Sequence, residues 1–268
     1  MAIEEGSRSQ AVHILRQNRG EGVQESDTVA VEDPLEIRLG DTPLAVVMRT
    51  PGDDDDLVRG FFLTEGILVD PGEIDAIERH DKSRLSVHLR EGIEVDAGQF
   101  QRNMFASSSC GVCGKASIEQ VRLFARPARP WTIAKSVVSS LTDSLRPHQR
   151  TFDETGGLHA AGLFDLSGEV LVVREDVGRH NAVDKVIGAV AQQHWPLPPC
   201  ILVVSGRQSF EIVQKAALAG IGGLVGVSAP SSLAVELARE TGMLLIGFSR
   251  GESFNVYAGD DRLADGSN

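Results

Sequence analysis

After about residue 158, short apolar runs alternate with stretches of helical spacing. Leu158–Asp165 and Glu169–Arg174 flank Leu166-Ser167-Gly168 and predict a hairpin. Asn181–Gln193 carries Val183, Val186, Ile187 and Val190 at helical intervals. Ile201–Val204, Gly223–Val227, Leu244–Phe248 and Phe254–Tyr257 read as strands. Phe210–Ala219 and Ser232–Thr241 read as helices, ended by Gly220 and Gly242. Ile201–Val204 and Leu244–Phe248 do not alternate with polar residues, which predicts burial on both faces. The order of elements predicts a mainly parallel sheet covered on both faces, an α/β arrangement.

The earlier part has a different pattern. Val29–Val31, Leu35–Leu39, Leu44–Arg49 and Arg84–Leu89 read as short strands. The acidic run Asp53–Asp56 leads into Leu57–Leu63 and predicts a helix whose first turn complements its dipole. That reading is favoured over a metal site, because no ligand spacing is present. Residues 1–25 are polar and broken by Gly20 and Gly22, which predicts a mobile arm with a short helix at Val12–Gln17. The expected division is an arm (1–25), a small α+β domain (26–98), a cysteine loop (99–116), an α/β domain (117–263) and a tail (264–268).

Composition narrows the function classes. The chain has 268 residues, is 41% hydrophobic and carries a formal charge of −12. That balance argues against broad nucleic-acid binding but leaves room for a local anion site. Three cysteines are too few for a disulfide framework and suit a reducing compartment. No apolar run approaches membrane-spanning length, and no secretory pattern opens the chain. A soluble cytoplasmic protein is expected.

Binding groups in such a sheet collect beyond the carboxyl ends of its strands. Four segments fall there: Arg174–His180, Ser205–Ser209, Ser228–Ser231 and Ser249–Ser253. They are rich in Ser, Gly and Arg, which suits an anion, and Arg207 and Arg250 are candidate phosphate partners. His180 sits at this edge beside Arg179 and Asn181. His159, after Gly156-Gly157, is read narrowly as structural rather than as a catalytic base. Asp176 and Asp184 read equally well as a helix-start carboxylate and a helix-surface residue. Cys200 enters an apolar strand and reads as a buried thiol.

The other two cysteines stand in Cys110-Gly111-Val112-Cys113-Gly114-Lys115, after Ser107-Ser108-Ser109. Small neighbours predict an accessible loop. Lys115 and a capping box at Ser117–Gln120, opening a helix through about Ala125, would favour the thiolate. Zinc is disfavoured, because one CxxC supplies half a site and no second pair or paired histidines exist. A redox dithiol and a persulfide carrier remain, and the chemistry of the motif does not choose between them.

Ser109–Gly114, Thr155–Ala161, Glu175–Gly188, Ser205–Ile221 and Ser228–Tyr257 together closely resemble the FdhD family of formate dehydrogenase accessory sulfurtransferases. A weaker match at Thr50–Gly66 extends the resemblance to roughly residues 25–263. The resemblance implies a homodimer that takes sulfur from a cysteine desulfurase. It passes the sulfur to the molybdenum (or tungsten) bis(molybdopterin guanine dinucleotide) cofactor of formate dehydrogenase. Cys110 matches the family's persulfide cysteine, and Cys113 matches its partner. Phe248, Ser249, Arg250, Gly251, Glu252 and Ser253 match its cofactor-binding stretch, and Arg207 and His180 join them as candidates. The implied fold is α/β, a cytidine deaminase-like mixed sheet covered by helices, with the smaller α+β domain in front. Ala161 stands where the deaminases carry their catalytic Glu, and no resident metal is expected, so deamination is not expected.

Overall fold

The computed structural model describes residues 6–98, 100 and 131–265. The cysteine motif Cys110–Lys115, the helix expected after Ser117 and the end of the tail lie outside the described residues.

The chain opens with β1 (Ser9–Asn18) and β2 (Glu21–Ala30). They pair antiparallel along their whole length, from Ser9 opposite Ala30 to Asn18 opposite Glu21. This hairpin replaces the helix predicted at Val12–Gln17. Half-buried Val12 and Ile14 repeat at a period of two, and Arg19-Gly20 turns with φ 50° and 94°. The base of the hairpin is held by a Ser9–Glu154 hydrogen bond of 3.2 Å and an Arg8–Asp53 ion pair.

β3 (Asp33–Leu39), β4 (Thr42–Arg49), α1 (Asp54–Thr64), β5 (Ile74–Asp81) and β6 (Arg84–Leu89) follow. The strands form one sheet in the order β4-β3-β6-β5. Leu35, Ile37, Leu85 and Val87 point from it into the core. The acidic run opens α1 as the dipole argument requires. Its carboxylates are also taken up by arginines: Asp54 by Arg49 and Arg79, and Asp56 by Arg174. β5 has no counterpart among the predicted strands. It is mostly exposed, so its sequence carries little hydrophobic pattern.

The remainder comprises β7 (Ile133–Ala134), α2 (Lys135–Leu145), α3 (Arg150–Thr155), β8 (His159–Asp165), β9 (Val170–Asp176), α4 (Arg179–Ala191), β10 (Cys200–Val204), α5 (Phe210–Leu218), β11 (Gly223–Gly226), α6 (Ser232–Glu240), β12 (Leu244–Arg250), β13 (Ser253–Ala258) and β14 (Leu263–Ala264). Six strands form one sheet in the order β13-β12-β11-β10-β8-β9. The sheet is mixed rather than mainly parallel. Only β10–β11 and β11–β12 run parallel. β8–β9 and β12–β13 are joined by tight turns, which force antiparallel pairing. In the first turn, the Asp165 carboxylate accepts from Ser167 N and Glu169 N.

Alternate residues of the sheet feed two cores. Leu163, Leu202, Val204, Leu224 and Leu245 face α1, α4, α5 and α6. Phe164, Ile201, Val203, Val225, Leu244 and Ile246 face Val138, Leu141 and Leu145 of α2. α1 and α4 cross closely. A Cβ on Gly60 would lie 1.9 Å from Asp184 O, and one on Gly188 would lie 1.9 Å from Asp56 O. No described helix is long and apolar enough to cross a membrane.

Candidate functional site

The carboxyl ends of β9, β10, β11 and β12 lie at one edge of the six-stranded sheet, together with the amino end of β8. A cavity of about 630 Å³ opens there. Leu158, His159, Ser205, Val227, Ser249, Arg250 and Gly251, at or just beyond the strand ends, form one wall. Thr142, Leu145, Arg146, Gln149 and Phe152, from α2, α3 and the link between them, form the other. Cavities of this size take ligands of nucleotide dimensions.

Each wall has a local cause. β12 carries a bulge between Gly247 and Arg250, with Phe248 at φ 53°. A left-handed Phe is a genuine outlier, held here by a 3.1 Å hydrogen bond from its N–H to Ser228 O. The bulge leaves Phe248 exposed while Ser249 is fully buried. Gln208 pins the neighbouring loops. Its Nε2 donates to Ile246 O at 2.8 Å, its backbone N donates to Ala229 O, and its carbonyl accepts from Ser231 N. Gly226 makes room for it, since a Cβ there would meet Gln208 Nε2 at 2.0 Å. On the opposite wall, buried Glu175 accepts from Thr151 N and Phe152 N at 2.9 and 2.8 Å. That carboxylate caps the short helix α3 and places Phe152 at the cavity. The Arg146 guanidinium lies over the Phe152 ring, 5.3 Å from its centre, and pairs with Asp153.

Two buried hydroxyls in these walls, Ser249 Oγ and Thr142 Oγ1, have no hydrogen-bond partner among the described residues. Buried polar groups are nearly always partnered, and the exceptions mark places where something else binds.

The site residues expected from the sequence divide into four groups. Ser249, Arg250 and Gly251 line the cavity. Phe248, Glu252 and Ser253 flank it on β12, β13 and their turn, all exposed. Arg207 and His180 stand beside it without lining it. Arg207 is exposed on the loop after Ser205. His180 Nε2 lies 3.0 Å from Glu211 Oε2. His180 holds the Glu211 carboxyl down to about 2, against the opposing effect of burial. Cys110 and Cys113 fall outside the described residues. Cys200 is buried at the start of β10, and burial pushes its thiol up to about 12, so it is inert.

Asp176 and Asp184 are both buried and structural. Asp176 meets Lys185 Nζ at 2.7 Å and accepts from Thr50 N, Gly178 N and Asn181 Nδ2. This hub joins the β4–α1 link to the start of α4. Asp184 accepts from Thr64 Oγ1 and Lys215 Nζ. Burial pulls Lys215 down, but Asp184 and Glu65 outweigh it and hold the ammonium above its ordinary range.

Sequence reasoning missed the α2–α3 wall, and it placed Gln208 and Glu175 in the edge segments Ser205–Ser209 and Arg174–His180 without giving either a role. The clearest available signals were the glycines at 206 and 226, each of which leaves space beside a neighbouring loop side chain. His159 was read as structural, yet it lines the cavity.

Comparisons with known proteins agree on one family. The pattern of the FdhD/NarQ family matches residues 30–264. The chain is 47% identical over 265 residues to the sulfur carrier protein FdhD of Streptomyces coelicolor, covering 94% of each. It is 42% identical to the protein of that name from Sulfolobus acidocaldarius, covering 94% of this chain and 97% of that one. A crystal structure from Desulfotalea psychrophila, described as a formate dehydrogenase accessory protein, superposes with a TM-score of 0.79 at 25% identity. That match covers 96% of this chain and all of the other.

Proposed function

The chain belongs to the FdhD/NarQ family, and from that premise we propose that it carries sulfur for formate dehydrogenase maturation. Cys110 attacks the outer sulfur of a cysteine desulfurase persulfide. One S–S bond breaks as another forms, the donor leaves as a thiolate, and Cys110 holds the persulfide. The acceptor is the molybdenum bis(molybdopterin guanine dinucleotide) cofactor, bound as substrate. Cys113 assists by exchange with the persulfide.

The observation that carries the acceptor half is the cavity at the carboxyl edge. There Arg250 and Gly251 stand beside the unpartnered hydroxyls of Ser249 and Thr142. Arg offers a fork to phosphate, and Gly251, at φ 53°, opens the β12–β13 turn beside it. In this reading the six-stranded sheet is a cytidine deaminase-like scaffold, with Ala161 in place of a catalytic carboxylate. The protein works in the cytoplasm as a homodimer.

Mass spectrometry after incubation with a desulfurase and cysteine tests the carrier role. The expected result is one added sulfur on Cys110, absent from Cys110→Ala. No added sulfur would leave a chaperone that only binds the cofactor. In a parallel binding measurement, unchanged affinity for a guanosine dinucleotide in both Arg207→Ala and Arg250→Ala would refute the phosphate assignment.

A further inference from the structure

We propose that His159 is a binding residue of the cavity and takes up a proton when an anionic ligand enters. The inference rests on the reading of the cavity as a phosphate-ligand site. His159 opens β8, and its ring lines the cavity. The backbone around it is fixed: Ser205 N donates to Ala160 O, and Ala160 N donates to Ser205 Oγ. Gly206 leaves room for the ring, because a Cβ there would lie 3.3 Å from Nδ1. The ring makes no hydrogen bond to another described residue, so both nitrogens remain for a ligand or a proton.

The charges around the ring explain why a proton would come with the ligand. From α4, Arg179 and His180 approach it, and Arg207 approaches from the loop after β10. Asp176 of β9 stands directly across the ladder from it. Arg250 of β12 shares its wall, and across the cavity are Arg146 and Asp143 from α2 and its end. The acids are largely engaged elsewhere. Asp176 is held by Lys185 and three N–H donors, and Glu211 is held by His180. Among the arginines, Arg146 is paired with Asp153. Arg179 keeps a buried Nε without a hydrogen-bond partner among the described residues. Burial makes the imidazole harder to protonate, and Arg179, His180 and Arg207 add to this against the pull of Asp176. An anion in the cavity offsets the guanidinium charges, so the protonated ring becomes favourable and donates to the ligand.

The sign follows from linkage. The ligand raises the titration midpoint of His159, so affinity grows as pH falls from the bound midpoint to the free one. Below the free midpoint the gain levels off. The steepest possible slope is about tenfold per pH unit for one proton.

The test is calorimetric titration of the full chain with P1,P2-diguanosine pyrophosphate, whose phosphates do not titrate near neutrality. Two buffers of different ionisation enthalpy report the protons exchanged. The expected result is uptake approaching one proton per ligand between about pH 5 and 8, lost in His159→Gln. In the unmodified protein, the imidazole resonance of His159 should titrate at higher pH when saturated with ligand, a reading that does not depend on how the variant folds. Binding with no proton uptake, or with the same uptake in His159→Gln, would overturn the inference and leave the phosphate-ligand reading standing. No binding at all would overturn both.

Discussion

On the side of the six-stranded sheet covered by α1, α4, α5 and α6, two ion pairs join four buried charged side chains, and all four are partnered. Lys185 meets Asp176 and Thr50 O, and Lys215 meets Asp184, Thr64 and Glu65. On the side covered by α2, the buried hydroxyls of Thr142 and Ser249 have no described partner and border a cavity. Unpaired buried charge costs far more than an unpaired hydroxyl. The two buried ion pairs are therefore satisfied within the fold, whereas the cavity side keeps two neutral hydroxyls open, and that open side is where a ligand can complete the structure.

Four measurements break or sharpen this contrast. The largest effect is expected from Lys215→Met, which strands the Asp184 carboxylate. Removing one partner of a buried pair costs about 3–5 kcal/mol, readable as a lower denaturant midpoint. A loss under about 1 kcal/mol, the range of an exposed pair, would erase the difference between the two sides. The raised ammonium of Lys215 also predicts that its contribution is fully present below its unfolded pKa. That contribution is lost only as pH rises through the higher folded value.

Next comes Gly60→Ala. Its new methyl would meet Asp184 O at 1.9 Å, so α1 and α4 must separate. Overpacking of this kind costs about 1–3 kcal/mol, and at such a distance the upper end is expected. A neutral result in thermal unfolding would show that the crossing is slack.

A smaller effect lies in acid. The Glu211 carboxyl is depressed to about 2 by His180. Its contribution is therefore fully present above the ordinary carboxyl value and lost as pH falls toward 2. His180→Gln should flatten that acid limb by less than about 1 kcal/mol, because both groups are partly solvated. An unchanged limb would mean the pair has no energetic role.

The smallest stability change is expected on the open side. Ser249→Ala and Thr142→Val each remove a hydroxyl that has no partner among the described residues, so stability should stay within about 0.5 kcal/mol or rise. Ligand affinity should nevertheless fall by about 0.5–1.5 kcal/mol for each hydrogen bond lost. Lower stability with unchanged affinity would reverse the assignment of the two sides.

Legibility followed the range of the causes. β8, β10 and β12 were readable because their apolar runs mark burial directly, and β6 and β13 because apolar residues alternate with polar ones along them. α4, α5 and α6 were readable from periodicity and helix-ending glycines. α2 was not read. Its segment is rich in Ser, Thr and Val, poor helix formers, and it holds because Val138, Leu141 and Leu145 pack on the sheet. α3 is six residues long and takes its cap from Glu175. The N-terminal hairpin was obscured by polar residues that alternate only weakly.

The sequence by itself determined the apolar strands, the family to which the chain belongs, and the Ser-, Gly- and Arg-rich segments that follow the strands. Those features are local or lie in ordered motifs, and local pattern is enough to read them. The tertiary structure decided that Thr142, Phe152 and His159 share a cavity with Ser249 and Arg250, and that Asp176 and Asp184 serve the core. These meetings join positions more than a hundred residues apart. They follow from sheet order, a bulge at Phe248 and a cap reaching back from β9, and no single stretch of chain contains those causes.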